Sequence, residues 1–462
     1  MSAKIYSLSN GAEGLFIKNE RFNTTSVSFN FYLPLSADTA AEYALLPFIL
    51  TTCGAEYPDF SVLNYKLSRL YGARLDASAE KLGDYQLLRM RISVIDDKYT
   101  FENESLLSRA TDMLLSLIFK PKAENGVFCE EDLSREKRKA IEHIKGEISE
   151  KRIYAKNRLI EEMYKGEAYG VPKCGTVEDV LKISGESLYR AWKNMLKKAF
   201  IRVQVIGACL PTRFFDSIAE RLNGIERSEI TDCKLNKSTL SKEEPNEITE
   251  RMAVKQGKLV MGFSSDMCGD DDVSLPLMVM TDIFGGGPYS KLFANVREKM
   301  SLCYYCSAST VRGKGLVTVD SGVEAENADK AKAEILNQLI SVQKGEFTDF
   351  EYEASIKSLY DSLNSYNDSQ VTLDTWYALK ANNKILYSPE EIGAKIAEIT
   401  REDIVNAAKG VKLHTVYMVI TIKTAINAVI VAVICYVKRS KKIYGISEVL
   451  TCFKPCTLSH LL

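Results

Sequence analysis

Only three histidines, His143, His414 and His460, occur in the 462 residues, and no two stand close in sequence. Chemistry that needs a histidine pair, whether zinc ligation or proton relay, is therefore nearly excluded. Other strings carry residues of a reactive type. Cys303-Tyr-Tyr-Cys306 has the spacing of a redox dithiol. It stands outside the strand-to-helix setting of thioredoxin-like sites and lacks the second cysteine pair of a tetrahedral zinc site, so structural cysteines are expected. Gly285-Gly-Gly-Pro288 suggests a phosphate loop. Without the Gly-Lys-Ser/Thr ending that brings an ammonium and a magnesium ligand to the phosphates, it reads as a tight turn before a helix. The carboxylate-rich stretch 130–165 spreads its charges around a helix, the pattern of a solvated face.

The elements that hold these residues belong to an ordinary globular chain. With 46% apolar and 26% charged residues, disorder, collagen and coiled coil are excluded as whole-chain descriptions. The length suggests roughly two to four units of domain size. Sixty basic residues against sixty-one acidic ones leave no net field to attract nucleic acid, which is not expected as a partner. The eleven cysteines are scattered, and the first residues have no apolar core of the secretory kind, so a reducing, cytoplasmic setting is expected.

Periodicity organises the chain into two similar α+β halves. Residues 25–34 alternate small or polar with apolar side chains, the period of a half-buried strand. A helix over 40–51, a second ending near Tyr71-Gly72 and an antiparallel pair over 74–98 follow. Residues 130–165, with Ile141, Ile144 and Ile148 on one face, predict one long, solvent-facing amphipathic helix. Thr176-Val-Glu-Asp is a capping box, and Ile183-Ser-Gly-Glu-Ser leads on to an apolar strand at 201–207. The same sequence of signals returns as Ser388-Pro-Glu-Glu, then Ile399-Thr-Arg-Glu-Asp, then an apolar strand at 411–420. Lys258-Leu-Val-Met-Gly-Phe likewise repeats the strand near Val27, and Phe347-Thr-Asp-Phe-Glu repeats Phe128-Cys-Glu-Glu-Asp. Residues 223–250 are polar and read as an exposed linker, giving domains at 1–222 and 251–420.

Within these halves, Leu-Ser-Arg-Leu-Tyr-Gly-Ala-Arg-Leu-Asp-Ala-Ser from Leu67, running on to Gly-Asp-Tyr-Gln at Gly83, is one specific string. Phe-Gly-Gly-Gly-Pro-Tyr-Ser-Lys-Leu-Phe-Ala-Asn-Val-Arg-Glu-Lys-Met-Ser-Leu-Cys-Tyr over 284–304 is the other. They resemble the insulinase/pitrilysin family of zinc peptidases, in its mitochondrial-processing-peptidase-like branch, over roughly 5–420. The resemblance implies two homologous domains, each a mostly antiparallel sheet with helices packed on it, facing across a chamber. Active members carry His-x-x-Glu-His on the first long helix, two histidines on zinc and a glutamate that activates its water. Here Leu45, Phe48 and Ile49 stand at those positions, and the distal ligand's place offers Glu142 or His143. One side chain cannot hold a catalytic zinc, so no metal or cofactor is expected in this chain.

The family also places an arginine and a tyrosine seven residues apart after the Gly-rich turn, and Arg297 and Tyr304 match, with Tyr305 as the alternative register. The resemblance implies that they bind substrate, since an arginine fork holds a carbonyl or carboxylate and a tyrosine hydroxyl donates to an oxyanion. The expected protein is a non-catalytic subunit, not a peptidase alone. It would pair as a heterodimer with a zinc-bearing insulinase-like homologue and help bind a peptide or protein substrate. Within the family the resemblance runs to bacterial members associated with 5-aminopentanol modification of elongation factor P. A structural or adaptor protein that keeps the fold is the alternative.

The resemblance stops near residue 420. The tail 421–462 holds an apolar run, 425–437, followed by Lys438-Arg-Ser-Lys-Lys, and no acidic residue lies between Asp403 and Glu448. It reads as a translated frameshift or as a membrane-associated segment over 421–442. The apolar run is shorter than the ~20 residues of a bilayer span, which argues against a native anchor and leaves a peripheral contact open.

Overall fold

The computed structural model describes residues 3–101, 104–234, 240 and 244–421. Its N-terminal half holds strands β1 (Ala3–Ser9), β2 (Ala12–Lys18), β3 (Thr24–Pro34), β4 (Arg74–Leu82) and β5 (Tyr85–Ile95), a small hairpin of β6 (Ala123–Glu124) and β7 (Val127–Phe128), and β8 (Phe200–Gly207). Its helices are α1 (Ala40–Leu50), α2 (Phe60–Arg69), α3 (Leu106–Phe119), α4 (Glu130–Ser149), α5 (Lys151–Met163), α6 (Val177–Lys182), α7 (Gly185–Lys198) and α8 (Phe214–Asn223). The C-terminal half holds β9 (Asn246–Met252), β10 (Gly257–Ser264), β11 (Cys303–Val311), β12 (Leu316–Val323) and β13 (Lys412–Thr421). Its helices are α9 (Asp271–Gly285), α10 (Ala328–Gln343), α11 (Asp349–Ser365), α12 (Gln370–Ala378), α13 (Pro389–Ala397) and α14 (Arg401–Lys409), with a π-helical turn at Leu292–Lys299.

The internal repeat is written into the sheet orders, β1-β2-β8-β3-β5-β4 and β11-β12-β10-β13-β9. In each half the closing strand, β8 or β13, has a parallel neighbour (β2 or β9) on one side. On its other side lies the antiparallel opening strand (β3 or β10), which leads out to a hairpin. The repeated capping signals also land at equivalent places. Thr176 with Asp179 and Ser388 with Glu391 start α6 and α13; Ser184 with Ser187 and Thr400 with Asp403 start α7 and α14. Each box satisfies two backbone donors that the first helical turn would leave bare.

The halves are interlocked by exchanged helices. α5 leaves the N-terminal half and lays Ala155 and Leu159 on Val260, Tyr417 and Val419 of the second sheet. It lies so close that a Cβ on Gly262 would stand 2.7 Å from Met163 Sδ. α12 returns the arrangement by covering the first sheet along β3. The expected half-buried strand is therefore corrected: its polar positions Ser26, Ser28 and Asn30 are as buried as Val27, Phe29 and Phe31. The polar face is buried because α12 brings partners to it. Ser28 Oγ donates to Asp374 Oδ1 at 2.7 Å, Tyr32 Oη to the Ala378 carbonyl at 2.7 Å, and Gln370 Nε2 to the carbonyls of Thr24 and Ile206. In the second sheet Asp320 pairs with Arg152 at 2.7 Å and Lys156 at 3.0 Å, both from α5. At the hairpin tips, buried Lys314 reaches Asp84 at 2.8 Å and lies near the rings of Tyr164 and Tyr169. Between the halves lies a cavity of about 900 Å³, lined among others by Lys81, Arg158, Lys173, Glu250 and Tyr417.

Three further expectations meet the structure. The single helix over 130–165 is two helices, because Glu150 is extended (φ −80°, ψ 92°) and its carboxylate caps the Arg152 N–H. The break turns α5 inward to be buried, while α4 keeps the solvent-facing character, with Ile148 41% exposed. The linker 223–250 is shorter than its composition suggests. β9 starts at Asn246, and the Arg227 guanidinium donates to the carbonyls of Asn10, Gly11, Leu196 and Ala199, tying that stretch to the first half. The tail beyond Thr421 lies outside the described residues, among which no helix is long and apolar enough to cross a membrane.

Candidate functional site

The helix where the family would carry zinc is apolar nearly all round, so it is packed on most sides. Leu45 and Ile49 are 2% and 1% exposed in the first core, and Phe48 projects at 39%. Hydrocarbon offers no lone pair, so zinc does not fit these positions. α4 packs beside α1, and the acids it presents there are already paired. Asp132 accepts from Lys122 at 2.9 Å and Arg135 at 2.8 Å, and Glu136, almost fully buried, accepts from Lys139 at 2.9 Å. Burial, and next to it the charge of Asp132, pushes the Cys53 thiol up to about 12. His143 is exposed further along α4, 3.5 Å from Glu147, and Glu142 lines a shallow groove. Among the described residues, no three of His, Cys, Asp and Glu are grouped to hold a metal.

The Gly-rich run after α9 is a packing turn. A Cβ on Gly285 would stand 2.6 Å from the Ala308 backbone nitrogen, so glycine is what lets α9 approach β11. Tyr289 Oη and Ser355 Oγ both donate to Asp282 Oδ1, at 2.5 and 2.6 Å, and hold the turn shut. The π-helical turn that follows carries Arg297. Its guanidinium lies 4.6 Å over the Phe293 ring and 3.5 Å from Glu298, with the side chain 41% exposed.

Ser301 closes that turn in the left-handed region (φ +51°), while the Leu302 N–H reaches back to the Val296 carbonyl at 3.1 Å. A non-glycine residue is strained there. Ser301→Gly is expected to raise the unfolding free energy by about 0.5–1 kcal/mol. An unchanged denaturant midpoint would count against that strain.

Tyr304 owes its position to a bulge. In the ladder with β12, Cys303 faces Val323 and Tyr305 faces Gly322, which leaves Tyr304 as the extra residue. It is 65% exposed, its hydroxyl 3.4 Å from Glu324 Oε1. Tyr305, the alternative register, lies with its ring 4.4 Å from the Arg152 guanidinium and 5.4 Å from the Lys258 ammonium, and burial pushes its hydroxyl up to about 12. Tyr305 is thus a packing residue between the halves, and Tyr304 is the one that faces solvent.

Arg297 and Tyr304 stand on consecutive elements, the π-helical turn and β11, and the counter-groups they meet, Glu298 and Glu324, are exposed. Leu45 and Ile49 belong to the other core. The bulge was not readable from the sequence, because an inserted residue leaves no mark on residue types. The acids Asp132 and Glu136 facing α1 were also missed, although Glu-rich spacing at the start of α4 was a signal.

Comparisons with known proteins agree with this build. Residues 182–359 match the family model described as "Peptidase M16 inactive domain". The Bacillus subtilis protein named "Probable inactive metalloprotease YmfF" is 30% identical over 413 residues, 88% of this chain and 95% of that protein. "Uncharacterized zinc protease YmxG", from the same organism, is 22% identical over 334 residues, 70% of this chain and 79% of its own. A conserved protein of known structure from Enterococcus faecalis V583 superposes with a TM-score of 0.84 at 26% identity, covering 91% of this chain and 99% of that one.

Proposed function

Because this chain belongs to the M16 family of insulinase-like peptidases, as an inactive-type member, and the resemblance aligns Leu45, Phe48 and Ile49 with the family's zinc motif, we propose that it is the non-catalytic subunit of a two-chain peptidase. The observation that carries this reading is the contrast between its two ends. The helix aligned with the zinc motif is core, while half-exposed Arg297 on the π-helical turn and exposed Tyr304 on the edge strand β11 make only weak surface contacts among the described residues. Arg297 would hold a peptide carbonyl or carboxylate through its planar fork. The Tyr304 hydroxyl would donate to the oxyanion that develops when water attacks the scissile carbonyl. The zinc and its activated water belong to a zinc-bearing M16 homologue.

Bacillus subtilis has both a relative named as inactive and one named as a zinc protease, which supports such a pairing. The eight cysteines among the described residues are all free, which suits assembly in a reducing cytoplasm. The resemblance of the first half to subunits associated with elongation factor P supports placing the complex beside 5-aminopentanol modification. The mass of elongation factor P from cells lacking this chain tests that link.

The main test is purification of the tagged full-length chain from its native lysate at near-physiological salt. A His-x-x-Glu-His homologue should come with it in near-equal amount, with zinc and chelator-sensitive peptide hydrolysis in the complex and neither in the chain alone. Recovery of other partners without hydrolysis would replace this reading with the adaptor one.

A further inference from the structure

The bulge that turns Tyr304 outward also acts on the sulfurs to either side of it. In a regular strand, residues three apart point to opposite faces. Here Cys303 stands opposite Val323 and Cys306 opposite Ser321, two residues apart on β12, so both thiols enter the second core on the same face. Two residues of regular strand separate same-face Cα atoms by roughly 6.6 Å, at the outer limit of a disulfide, so closing the bond needs the bulge to tighten. Ser321, opposite Cys306 on β12, is fully buried, and its hydroxyl has no hydrogen-bond partner among the described residues.

The two thiols are not equivalent. The neighbouring Cys306 thiol first, with smaller help from Ser321 and the Arg297 charge, outweighs burial and brings Cys303 down to about 7, while Cys306 is pushed well up. Cys53 and Cys233 are instead pushed up to about 12, mainly by burial, as inert thiols are.

We propose that Cys303 and Cys306 are a modification site for small hydroperoxides, with Cys303 the attacking thiolate and Cys306 the resolving thiol. The Cys303 sulfur attacks the peroxide, the O–O bond breaks, and sulfenic acid and hydroxide are formed. The Cys306 sulfur then attacks the Cys303 sulfur and expels the second oxygen as water, closing the S–S bond. Two thiols lose two electrons and two protons, and one hydrogen peroxide becomes two waters. The low exposure of the pair, 9% and 5%, favours a small oxidant over a protein disulfide. The closed disulfide would pin the bulge with Tyr304 at its tip, whatever that hydroxyl touches.

The full-length chain is treated with graded hydrogen peroxide, quenched with an alkylating reagent under denaturing conditions, and digested with trypsin. Both cysteines fall in one peptide, 300–312. That peptide should lose two hydrogens and escape alkylation at peroxide doses that leave exposed Cys209 alkylated, and dithiothreitol should reverse the change. The oxidation rate should rise as pH passes through about 7. Cys306→Ser should leave Cys303 as a sulfenic acid that dimedone captures. Full alkylation of peptide 300–312 after Cys209 has oxidised, or overoxidation of Cys303 without a disulfide in the unaltered protein, would overturn the proposal.

Discussion

Replacing Arg297 by alanine in the proposed two-chain complex is expected to lower kcat/KM of chelator-sensitive hydrolysis by about 10- to 100-fold, the scale of one lost charge-assisted hydrogen bond to substrate. The chain should stay folded and bound to its partner. Arg297 stacks on half-buried Phe293 and pairs with the neighbouring, exposed Glu298 at 3.5 Å, so little of the fold depends on it. Arg297→Lys keeps the charge and loses the planar fork, and should recover only part of the activity. Tyr304→Phe removes a single hydroxyl that makes a long 3.4 Å bond to Glu324. Its loss should appear in kcat, whereas loss of a substrate-holding arginine should also raise KM. Full activity of a complex carrying both Arg297→Ala and Tyr304→Phe would end the substrate-binding reading and leave the pair as relics of the family.

Asp374→Ala should destabilise the chain by about 3–5 kcal/mol, the usual cost of breaking a buried ion pair from one side. Its side chain is 1% exposed, and it accepts from Ser28, Gln204 and Arg89. All three donors come from the first sheet, so the substitution strips α12 of the partner set that docks it there. Arg89, 8% exposed, would keep Glu80 as a counter-ion, which places the expected loss toward the lower end. Adding Arg89→Met to remove the stranded charge should recover part of the loss, because the two sites share one network. Urea unfolding measures both variants. An unchanged midpoint for Asp374→Ala would mean that α12 is held by packing alone.

Much of this molecule was legible without coordinates. The repeat could be read because capping boxes and strand periods are local signals: Thr176 with Asp179 and Ser388 with Glu391 each cap a helix from within four residues. That the chain is an inactive-type member could be read because ligand chemistry is a property of residue type, and the chain has no His-x-x-Glu-His run. The candidate pair Arg297 and Tyr304 came from resemblance over a specific string, not from any physical signal in the residues themselves.

The rest depended on contacts between distant parts of the chain. A strand period states which residues share a face and leaves open what covers that face. The buried polar side of β3 was decided by Asp374 and Gln370, more than three hundred residues away. The break at Glu150 followed the same logic, since α5 turns inward only because the second sheet offers it an apolar face. At β11 one unpaired residue chose Tyr304 over Tyr305 for the surface and set Cys303 and Cys306 on one face. Residue types and spacings therefore determined the two α+β halves and the loss of the zinc ligands. Only the tertiary structure decided which side chains reach solvent at the candidate site, because a one-residue change of register inverts every side chain after it while leaving the sequence pattern unaltered.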